Sequence, residues 1–436
     1  MPQPPSVPSL THRAARVLAG RPATYSKSPQ RYPAGLAPEA LVRGAGAYVW
    51  SPDGRRWLDT VAALGPILLG YGHPAVDDAI LEQLAHGTSF SLMHPIEVEV
   101  AELLCDLVPG AECCRFARNG KDVTEAAVRL ARFVTGRRHV VFCGYAGGFS
   151  DYLITTDHPG GILAHLCQFN HQVAWNDIAA LRDLVEVYRN DVAAILFEVP
   201  PEPPERTPED TATTLRWYVD TAHQARALAV CDEIVTGLRY GLGGAQALYG
   251  VQADLATFSK ALANGLPLAA LTGPRDLLQH CASGDVFVST TFGGETTALA
   301  AARAVLVTLR DTDALATLRM HGTRLLEGLR GLFHEYALPA AVWGNYARIA
   351  VRWADAEDGH GTAAALRTLW LAEMARRGIL LNTGVILPMT CYTTIETQAL
   401  LTAAEAVCAL MRQALDGCGV AAALPCAVLG DVLRVR

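Results

Sequence analysis

Lysine is scarce in this sequence of 436 residues. Lys27, Lys121 and Lys260 are its three lysines, whereas lysine and arginine together number 36, so arginine carries nearly every positive charge. Acidic residues number 43, which gives a formal net charge of −7. Without a basic excess the chain lacks the cationic stripe that neutralises phosphates, which argues against a nucleic-acid partner. The few lysines that are kept need their own explanation.

Long apolar runs are missing as well. No run reaches the roughly 18 apolar residues that span a bilayer, and the opening residues lack the apolar core of a secretory signal. The eleven cysteines are scattered and form no C-x-x-C pair, which favours reduced, buried thiols over disulfides or metal ligands. We therefore expect a cytoplasmic protein without a membrane-spanning segment and without a metal site.

Several motifs of well-known enzymes are also absent. The sequence contains no G-x-x-x-x-G-K-[ST], no H-E-x-x-H and no G-x-S-x-G, and its "GLGGAQ" (241–246) does not fit G-x-G-x-x-G. These absences disfavour P-loop nucleotide hydrolysis, zinc-dependent proteolysis and the common hydrolase nucleophile elbow.

Short apolar runs do occur, and they alternate with longer helical stretches. The runs are "HVVFCG" (139–144), "AAILFEV" (193–199), "LAVCDEI" (228–234), "LATFS" (255–259) and "LAALTG" (268–273). Strands that alternate with helices predict β-α-β units and a mostly parallel sheet. The proline-dense "VPPEPPERTP" (199–208) directly follows one of these runs and predicts a loop, because proline cannot continue a central strand.

The pattern predicts three parts of the chain. Residues 1–70 form an N-terminal segment, with an extended arm up to about residue 45 and a hairpin over 46–60 around the Asp53–Gly54 turn. Residues 71–320, which begin with helical periodicity over 75–108, form the large domain. Residues 321–436 form a smaller C-terminal α/β domain.

Candidate chemistry collects at the carboxyl ends of predicted strands, where open α/β sheets bind their ligands. Glu198 ends one apolar run, Asp232 and Glu233 end the next, and Lys260 follows a third. Parallel strands are covered on both faces, so a carboxylate at such a position needs a cationic or hydrogen-bonding partner. A pyridinium nitrogen would be one.

Lys260 lies in "ATFSKALANG" (256–265), among apolar residues. A desolvated lysine can lose its proton and act as a nucleophile, which a guanidinium cannot do. A lysine retained in an arginine-rich chain therefore indicates amine chemistry, with a Schiff base as the leading form. The alternative is an ordinary loop lysine.

The segment "RNGKDVTEAAVRLARFV" (118–134) predicts a helix that begins at Asn119–Gly120, with Asp122 in its first turn. Free N–H groups at such a start form an anion site suited to phosphate; the alternative is simply a capped helix. A phosphate site, a strand-end aspartate and a strand-end lysine together match pyridoxal 5′-phosphate (PLP).

Over roughly residues 25–415 the sequence resembles the class III, fold-type I PLP-dependent aminotransferases, and within them the branch like glutamate-1-semialdehyde aminomutase. The most specific block is "VCDEIVTGLRYGLGGAQALYGVQADLATFSKALANGLPLAALTG" (230–273), with its DE-x-x-TG-x-R and K-A-x-A-NG-x-P motifs. The resemblance implies a mostly parallel seven-stranded sheet sandwiched by helices. It also implies transfer of an amino group from a small-molecule donor to a carbonyl acceptor.

The resemblance further implies roles for residues around the cofactor ring. Lys260 would form the internal aldimine and then shuttle a proton, and Asp232 would pair with the pyridinium nitrogen. Ile234 and Tyr145 would lie on opposite faces of the ring. Glu198 matches the acidic residue that ends an earlier strand near the cofactor.

Other implied roles concern the phosphate and the substrate. Asn119, Gly120 and Lys121 match the phosphate-binding turn, in which the amides of Gly120 and Lys121 would hold the phosphate. Thr291, in "STTFGG", would reach the phosphate from a neighbouring subunit, which implies a homodimer with shared sites. Arg31, in "SPQR", matches an arginine that meets the substrate carboxylate, with a solvated arm residue as the alternative.

Four departures from the family pattern bear on the function. Lys121 replaces a hydroxyl residue, and its ammonium either pairs with phosphate or turns outward. Ala146 replaces a histidine near the ring, and Ala63–Leu64 replaces a Ser-Trp pair, while the acidic substrate motif expected around 380–392 has no match. These departures favour a specialised biosynthetic aminotransferase. Leu64 and the proline-rich loop 199–208 suggest a substrate less polar than a dicarboxylic semialdehyde. A 1,2-aminomutase, a racemase and a catalytically silent PLP-fold scaffold remain the alternatives.

Overall fold

A computed structural model describes residues 10–19, 22–144, 161–357, 359–382, 385–417 and 419–430. The chain divides into two compact units. The central unit is Ala63–Ala316, and the terminal unit combines the described residues through Ala62 with those from Thr317 onward.

The strands of the described residues are β1 (Arg43–Ala45), β2 (Tyr48–Trp50), β3 (Arg56–Asp59), β4 (Cys113–Ala117), β5 (His139–Cys143), β6 (Asn170–Val173), β7 (Val192–Phe197), β8 (Leu228–Asp232), β9 (Leu255–Phe258), β10 (Ala269–Gly273), β11 (Ala340–Asn345), β12 (Arg348–Trp353), β13 (Ile379–Leu380) and β14 (Val385–Ile386).

The α-helices of the same residues are α1 (Leu10–Val17), α2 (Pro74–His86), α3 (Pro95–Leu107), α4 (Gly120–Thr135), α5 (Ala164–Cys167), α6 (Ile178–Val187), α7 (Pro208–Gln224), α8 (Gly244–Leu248), α9 (Arg275–Ser283), α10 (Thr296–Asp311), α11 (Ala314–Glu335), α12 (Ala363–Arg376), α13 (Thr394–Asp416) and α14 (Val420–Ala423). Short 3-10 helices cover Tyr25–Lys27, Pro29–Arg31, Ala62–Leu64 and Lys260–Ala263.

The central unit is built on a seven-stranded sheet of described residues, in the order β4-β10-β9-β8-β7-β5-β6. β10 is antiparallel to both of its neighbours, and the other pairings are parallel. The predicted fold, a mostly parallel seven-stranded sheet, is confirmed. All six residues of β7 are buried, and since successive side chains alternate between faces, the sheet is covered on both.

The five apolar runs correspond to β5, β7, β8, β9 and β10, while β4 and β6 lack such a run. β4 reads "CCRFA" and buries only its last residue fully. β6 reads "NHQV" and lies at the sheet edge, where fewer side chains need to be apolar. The helical stretch predicted over 75–108 is two helices, α2 and α3. The chain leaves α2 at Gly87, whose φ of +110° suits glycine.

Helix α4 is fixed against the sheet by its apolar face. Val123, Ala127 and Leu130 belong to one buried cluster with Val140 of β5 and Leu196 of β7. This packing fixes the direction of α4, whose first residue follows closely after the end of β4. The helix therefore begins next to the end of β4, which is an outer strand of the sheet.

The terminal unit contains two smaller sheets of described residues, β1-β2-β3-β13 and β11-β12-β14. The predicted hairpin is present as β2 and β3, paired antiparallel with Val49 opposite Trp57. The N-terminal arm is not wholly extended, because residues 10–17 form the helix α1, in which no residue is buried. No helix among the described ranges is long and apolar enough to cross a membrane.

Candidate active site

Three neighbouring parallel strands end at the same edge of the central sheet. Glu198 follows the end of β7, Asp232 ends β8, and Lys260 comes two residues after the end of β9. The strand register sets Asp232 opposite Thr257. The structure therefore brings together the strand-end carboxylates and the strand-end lysine that the sequence singles out.

Asp232 is the electrostatic centre of this edge. Its carboxylate is 4% exposed and accepts hydrogen bonds from the backbone N–H of Ile234 at 3.0 Å and the hydroxyl of Thr257 at 3.3 Å. Burial, and next the negative charge of Glu198, raise the pKa of Asp232 to about 7. The Ile234 N–H and the charge of Lys260 oppose that rise. A further cation beside this carboxylate would favour its anionic form.

Glu198, like Asp232, is a buried carboxyl residue at this edge of the sheet, and it is 6% exposed. Its backbone N–H donates to the carbonyl of Cys143 at 3.0 Å. A Cβ on Gly144, whose φ is +120°, would lie 3.2 Å from the Glu198 Cβ. The glycine thus allows the two strand ends to approach closely, and the edge gains concentrated negative charge suited to a cationic ring nitrogen.

Lys260 has an unusual backbone conformation. It begins the 3-10 helix Lys260–Ala263 with φ of +44°. A left-handed conformation costs a residue with a Cβ roughly 1–2 kcal/mol. Strain of this kind persists only where the surroundings impose it, and it concentrates at functional sites.

Glu233, beside Asp232 in sequence, has a different environment. Its fully buried carboxylate accepts the N–H groups of Ala245 and Gln246, each at 2.9 Å, and the hydroxyl of Thr236. A Cβ on Gly244 would lie 2.5 Å from this carboxylate. Protein donors thus surround Glu233, which organises the chain after β8 and leaves Asp232 as the acid suited to a ligand.

The start of α4 lies at the position where the sequence predicts an anion site. The backbone N–H of Asn119 donates to Asp122 Oδ2 at 2.8 Å, and the N–H of Asp122 donates back to the Asn119 carbonyl at 2.9 Å. Backbone N–H groups at a helix start point outward along the helix axis, where they can bind an anion. A Cβ on Gly120 would lie 2.7 Å from Ile234 Cδ1, so glycine is required for Ile234 to pack against the helix start.

Lys121, also in this turn, is directed along the helix. Its Nζ lies 2.8 Å from Glu125 Oε2, and both side chains are 25% exposed. The ammonium therefore has a carboxylate partner one turn further along α4.

The remaining predicted site residues lie elsewhere or outside the described ranges. Thr291 is exposed in the turn before α10. Arg31, in the terminal unit, ends the 3-10 helix Pro29–Arg31 and is 8% exposed. Tyr145 and Ala146 lie outside the described residues. Within the described ranges no group of three or more His, Cys, Asp or Glu side chains could hold a metal.

Sequence reasoning missed Thr257 and Asn264. Thr257 is the polar residue inside the apolar β9, and that is the signal that could have found it. Asn264 follows the Lys260 helix, and its side chain bonds to the backbone of residues 68–70. No sequence pattern indicates such a distant partner.

The residues present fit PLP. The Asp232–Glu198 pair suits a protonated ring nitrogen, the start of α4 suits a phosphate, and Lys260 offers an amine for an aldehyde. A larger residue than Gly120 at the helix start would displace Ile234.

Comparisons with known proteins agree with this chemistry. The family described as "Aminotransferase class-III" matches residues 33–415. Among curated proteins, a glutamate-1-semialdehyde 2,1-aminomutase from Thermomicrobium roseum is 36% identical over 328 residues, which cover 71% of this chain and 74% of that protein.

Solved structures show the same fold. The PLP internal aldimine form of the FumI protein from Sphingopyxis sp. MTA144 superposes with a TM-score of 0.83 at 26% identity, covering 93% of this chain and 96% of that one. A glutamate-1-semialdehyde aminomutase from Pseudomonas aeruginosa PAO1 gives a TM-score of 0.76 at 21% identity, covering 91% and 92%.

Proposed function

Since the chain belongs to the class III aminotransferases, which are PLP-dependent enzymes, we propose that it moves an amino group from a small-molecule donor to a carbonyl acceptor through Lys260. The observation that supports this assignment is the strained Lys260 turn at the same sheet edge as the buried Asp232 and Glu198.

The chain's own residues divide the chemical work. When bound, PLP supplies an electron sink for the carbanion left at the substrate Cα. Asp232 would hold a proton on the ring nitrogen by its negative charge. The N–H groups of Gly120 and Lys121 would bind the phosphate, and Ile234 would pack against the ring. The Lys260 amine would hold the cofactor and then shuttle the proton that leaves the substrate Cα.

Transamination predicts that the enzyme retains the amino group between two half-reactions. With an amino donor alone, the purified holoenzyme should release about one keto product per active site and lose its visible absorption band. Adding a carbonyl acceptor should restore the band. Absence of any visible band in Lys260→Ala, together with its presence in the wild type, would support the assignment of Lys260. A wild-type protein saturated with PLP that shows no band would contradict the proposal and favour a silent scaffold.

An intramolecular 1,2-aminomutase is the second candidate, because the relative from Thermomicrobium roseum that is 36% identical carries that name. The same lysine would then move protons within one substrate molecule. Isomerisation of a 1,2-amino carbonyl compound without release of free keto product would favour this candidate over transamination. Loss of substrate chirality without isomerisation would indicate a racemase.

The acceptor in the proposed reaction is less polar than a dicarboxylic semialdehyde and belongs to a specialised biosynthetic pathway. Half-buried Leu64 supports the polarity, since it stands where the aminomutase-like pattern has tryptophan beside serine. The proline-rich loop adds nothing to this argument, because Glu202 and Arg206 form a 2.6 Å ion pair inside it. A panel of acceptors assayed against the amino-loaded enzyme tests it, and preference for short dicarboxylic acceptors would contradict it.

We also propose a cytoplasmic homodimer with shared active sites, in which Arg31 meets the substrate carboxylate. Exposed Thr291 and the exposed aromatic rings of Phe287 and Phe292 support the dimer. The free state of the ten described cysteines supports a reducing compartment. Mixed dimers of Lys260→Ala and Thr291→Ala chains should recover part of the activity, and sedimentation of a monomer would contradict the arrangement.

Cell fractionation tests the cytoplasmic location. The proposed role of Arg31 predicts that Arg31→Gln raises the KM of the amino donor.

A further inference from the structure

The backbone around Lys260 is left-handed at both ends of its short helix. Lys260 has φ of +44°, and Asn264, the residue after Ala263, has φ of +44° and ψ of +41°. Asparagine tolerates this conformation better than most residues with a Cβ. Lysine does not, so contacts around the turn must hold Lys260 in place.

The side chain of Asn264 provides such contacts. Its Oδ1 accepts the backbone N–H groups of Leu68 and Leu69, both at 2.9 Å, and its Nδ2 donates to the carbonyl of Gly70 at 3.0 Å. The side-chain amide of Asn264 thus bonds to backbone groups of three consecutive residues. Leu68 and Leu69 are buried, so these N–H groups would otherwise lose their hydrogen bonds to water without replacement, at a cost of about 1–3 kcal/mol each.

The same segment, residues 65–70, is held at its other end by the turn that follows Asp232. Nη2 of the fully buried Arg239 donates to the carbonyls of Gly65 at 3.1 Å and Ile67 at 3.2 Å. Residues 65–70 belong to no helix or strand. The segment therefore connects the Asp232 turn to the Lys260 turn through bonds from two side chains.

The backbone that leads into this segment is also strained. Ala62, Ala63 and Leu64 have φ values of +48°, +54° and +76°. Three consecutive left-handed residues with a Cβ are rare, and they persist only when neighbouring contacts fix the chain. The bonds from Arg239 and Asn264 begin directly after them.

We propose that Asn264 is a positioning residue, which holds Lys260 in its left-handed conformation and at a fixed place relative to Asp232 through residues 65–70. This inference rests on the proposed role of Lys260. Its consequence is kinetic, because a small displacement of the lysine amine from the cofactor aldehyde and the substrate Cα slows the steps in which that amine takes part.

The variant that tests the proposal is Asn264→Gly, since glycine accepts the left-handed backbone and removes only the side-chain bonds. In the PLP-free protein we expect hydrogen exchange of the Leu68 and Leu69 amides to accelerate about 10-fold or more. We expect the visible band to form about 10-fold more slowly when PLP is added, and kcat to fall about 10-fold while the donor KM changes less than about 3-fold.

Two further variants separate positioning from general destabilisation. Asn264→Asp keeps the acceptors for Leu68 and Leu69 and loses the donor to Gly70, so its band should form at an intermediate rate. Asn176→Gly is the matched control, because Asn176 also has a left-handed backbone, with φ of +67°, and accepts the Thr214 hydroxyl at 3.0 Å. Asn176 follows the edge strand β6, and its replacement should leave band formation unchanged.

Three results would overturn the proposal. Unchanged exchange at Leu68 and Leu69 in Asn264→Gly would mean that the bonds do not hold the segment. Faster exchange with wild-type band formation and kcat would mean that the segment does not position the lysine. Equal slowing in Asn176→Gly would mean general destabilisation. Failure of the proposed function is a separate result, namely a visible band that persists in Lys260→Ala.

Discussion

Lys121 Nζ lies 2.8 Å from Glu125 Oε2, one turn along helix α4. The sequence left two options for Lys121, pairing with phosphate or turning outward, and the structure gives its ammonium a carboxylate partner on its own helix. The pair is partly exposed, so it adds at most about 1 kcal/mol to stability. A partner bound so weakly can be exchanged for a phosphate at the helix start.

Glu125→Gln should therefore strengthen PLP binding, by about 3-fold to 10-fold at low ionic strength, because it removes the carboxylate that competes for Lys121. Equilibrium titration of the visible band measures the affinity. The gain should shrink in high salt and disappear in the double variant with Lys121→Ala. Asp416→Asn, which breaks the similar Arg412–Asp416 pair of α13, is the control. An affinity that stays unchanged in Glu125→Gln would show that Lys121 remains turned outward.

Gly120→Ala should weaken PLP binding by about 10-fold, since its Cβ would lie 2.7 Å from Ile234 Cδ1 and push one of the two residues out of place. In an Ile234→Ala background the same change should cost less than about 3-fold, because the obstructing atoms are gone. A double-mutant cycle on the PLP dissociation constant measures this coupling. Gly136→Ala, at the other end of α4, should lower stability through its φ of +68° without changing PLP affinity. Equal losses in both backgrounds would contradict the packing argument.

Sequence reasoning succeeded where burial forces a pattern. β7 is covered on both faces, so its run must be apolar throughout, and a carboxyl residue at its end is conspicuous. It failed at β4, whose half-buried "CCRFA" includes Arg115 bonded to the Val288 carbonyl. It also missed Asn264, because the partners of that side chain lie about 195 residues earlier in the chain. Residue type at a strand end is a local signal, whereas a side chain that joins two distant loops is not.

Asp232→Asn should make the PLP-free protein less sensitive to rising pH. The pKa of Asp232 rises from 3.8 to about 7 on folding, so between these values the folded state keeps a proton that the unfolded chain releases. Its contribution to stability is complete below about pH 4 and is lost as the pH rises to about 7. Asparagine does not titrate, so the variant should gain on the wild type across this window, by an amount on the order of a few kcal/mol. Its PLP-dependent activity should nevertheless collapse.

Urea unfolding at several pH values measures this difference. Asp285→Asn is a control of opposite sign, because the hydrogen bond from His280 lowers the pKa of Asp285. That variant should lose stability relative to the wild type as the pH rises through the acidic range. A difference between Asp232→Asn and the wild type that stays flat from pH 4 to pH 8 would show that Asp232 ionises freely in the folded chain.

Lys260→Gly and Lys260→Ala should both lose the visible band yet differ in stability. Alanine keeps the Cβ that makes φ of +44° unfavourable, whereas glycine adopts this conformation without steric cost. The PLP-free glycine variant should therefore be more stable than the alanine variant by about 1 kcal/mol, measured by urea unfolding at one pH. Ala261→Gly, at the next position but absent from the left-handed residues, should instead destabilise. A glycine variant less stable than the alanine variant would mean that Lys260 is not strained. Function would then not be what imposes the backbone conformation of Lys260, even if the lysine binds the cofactor.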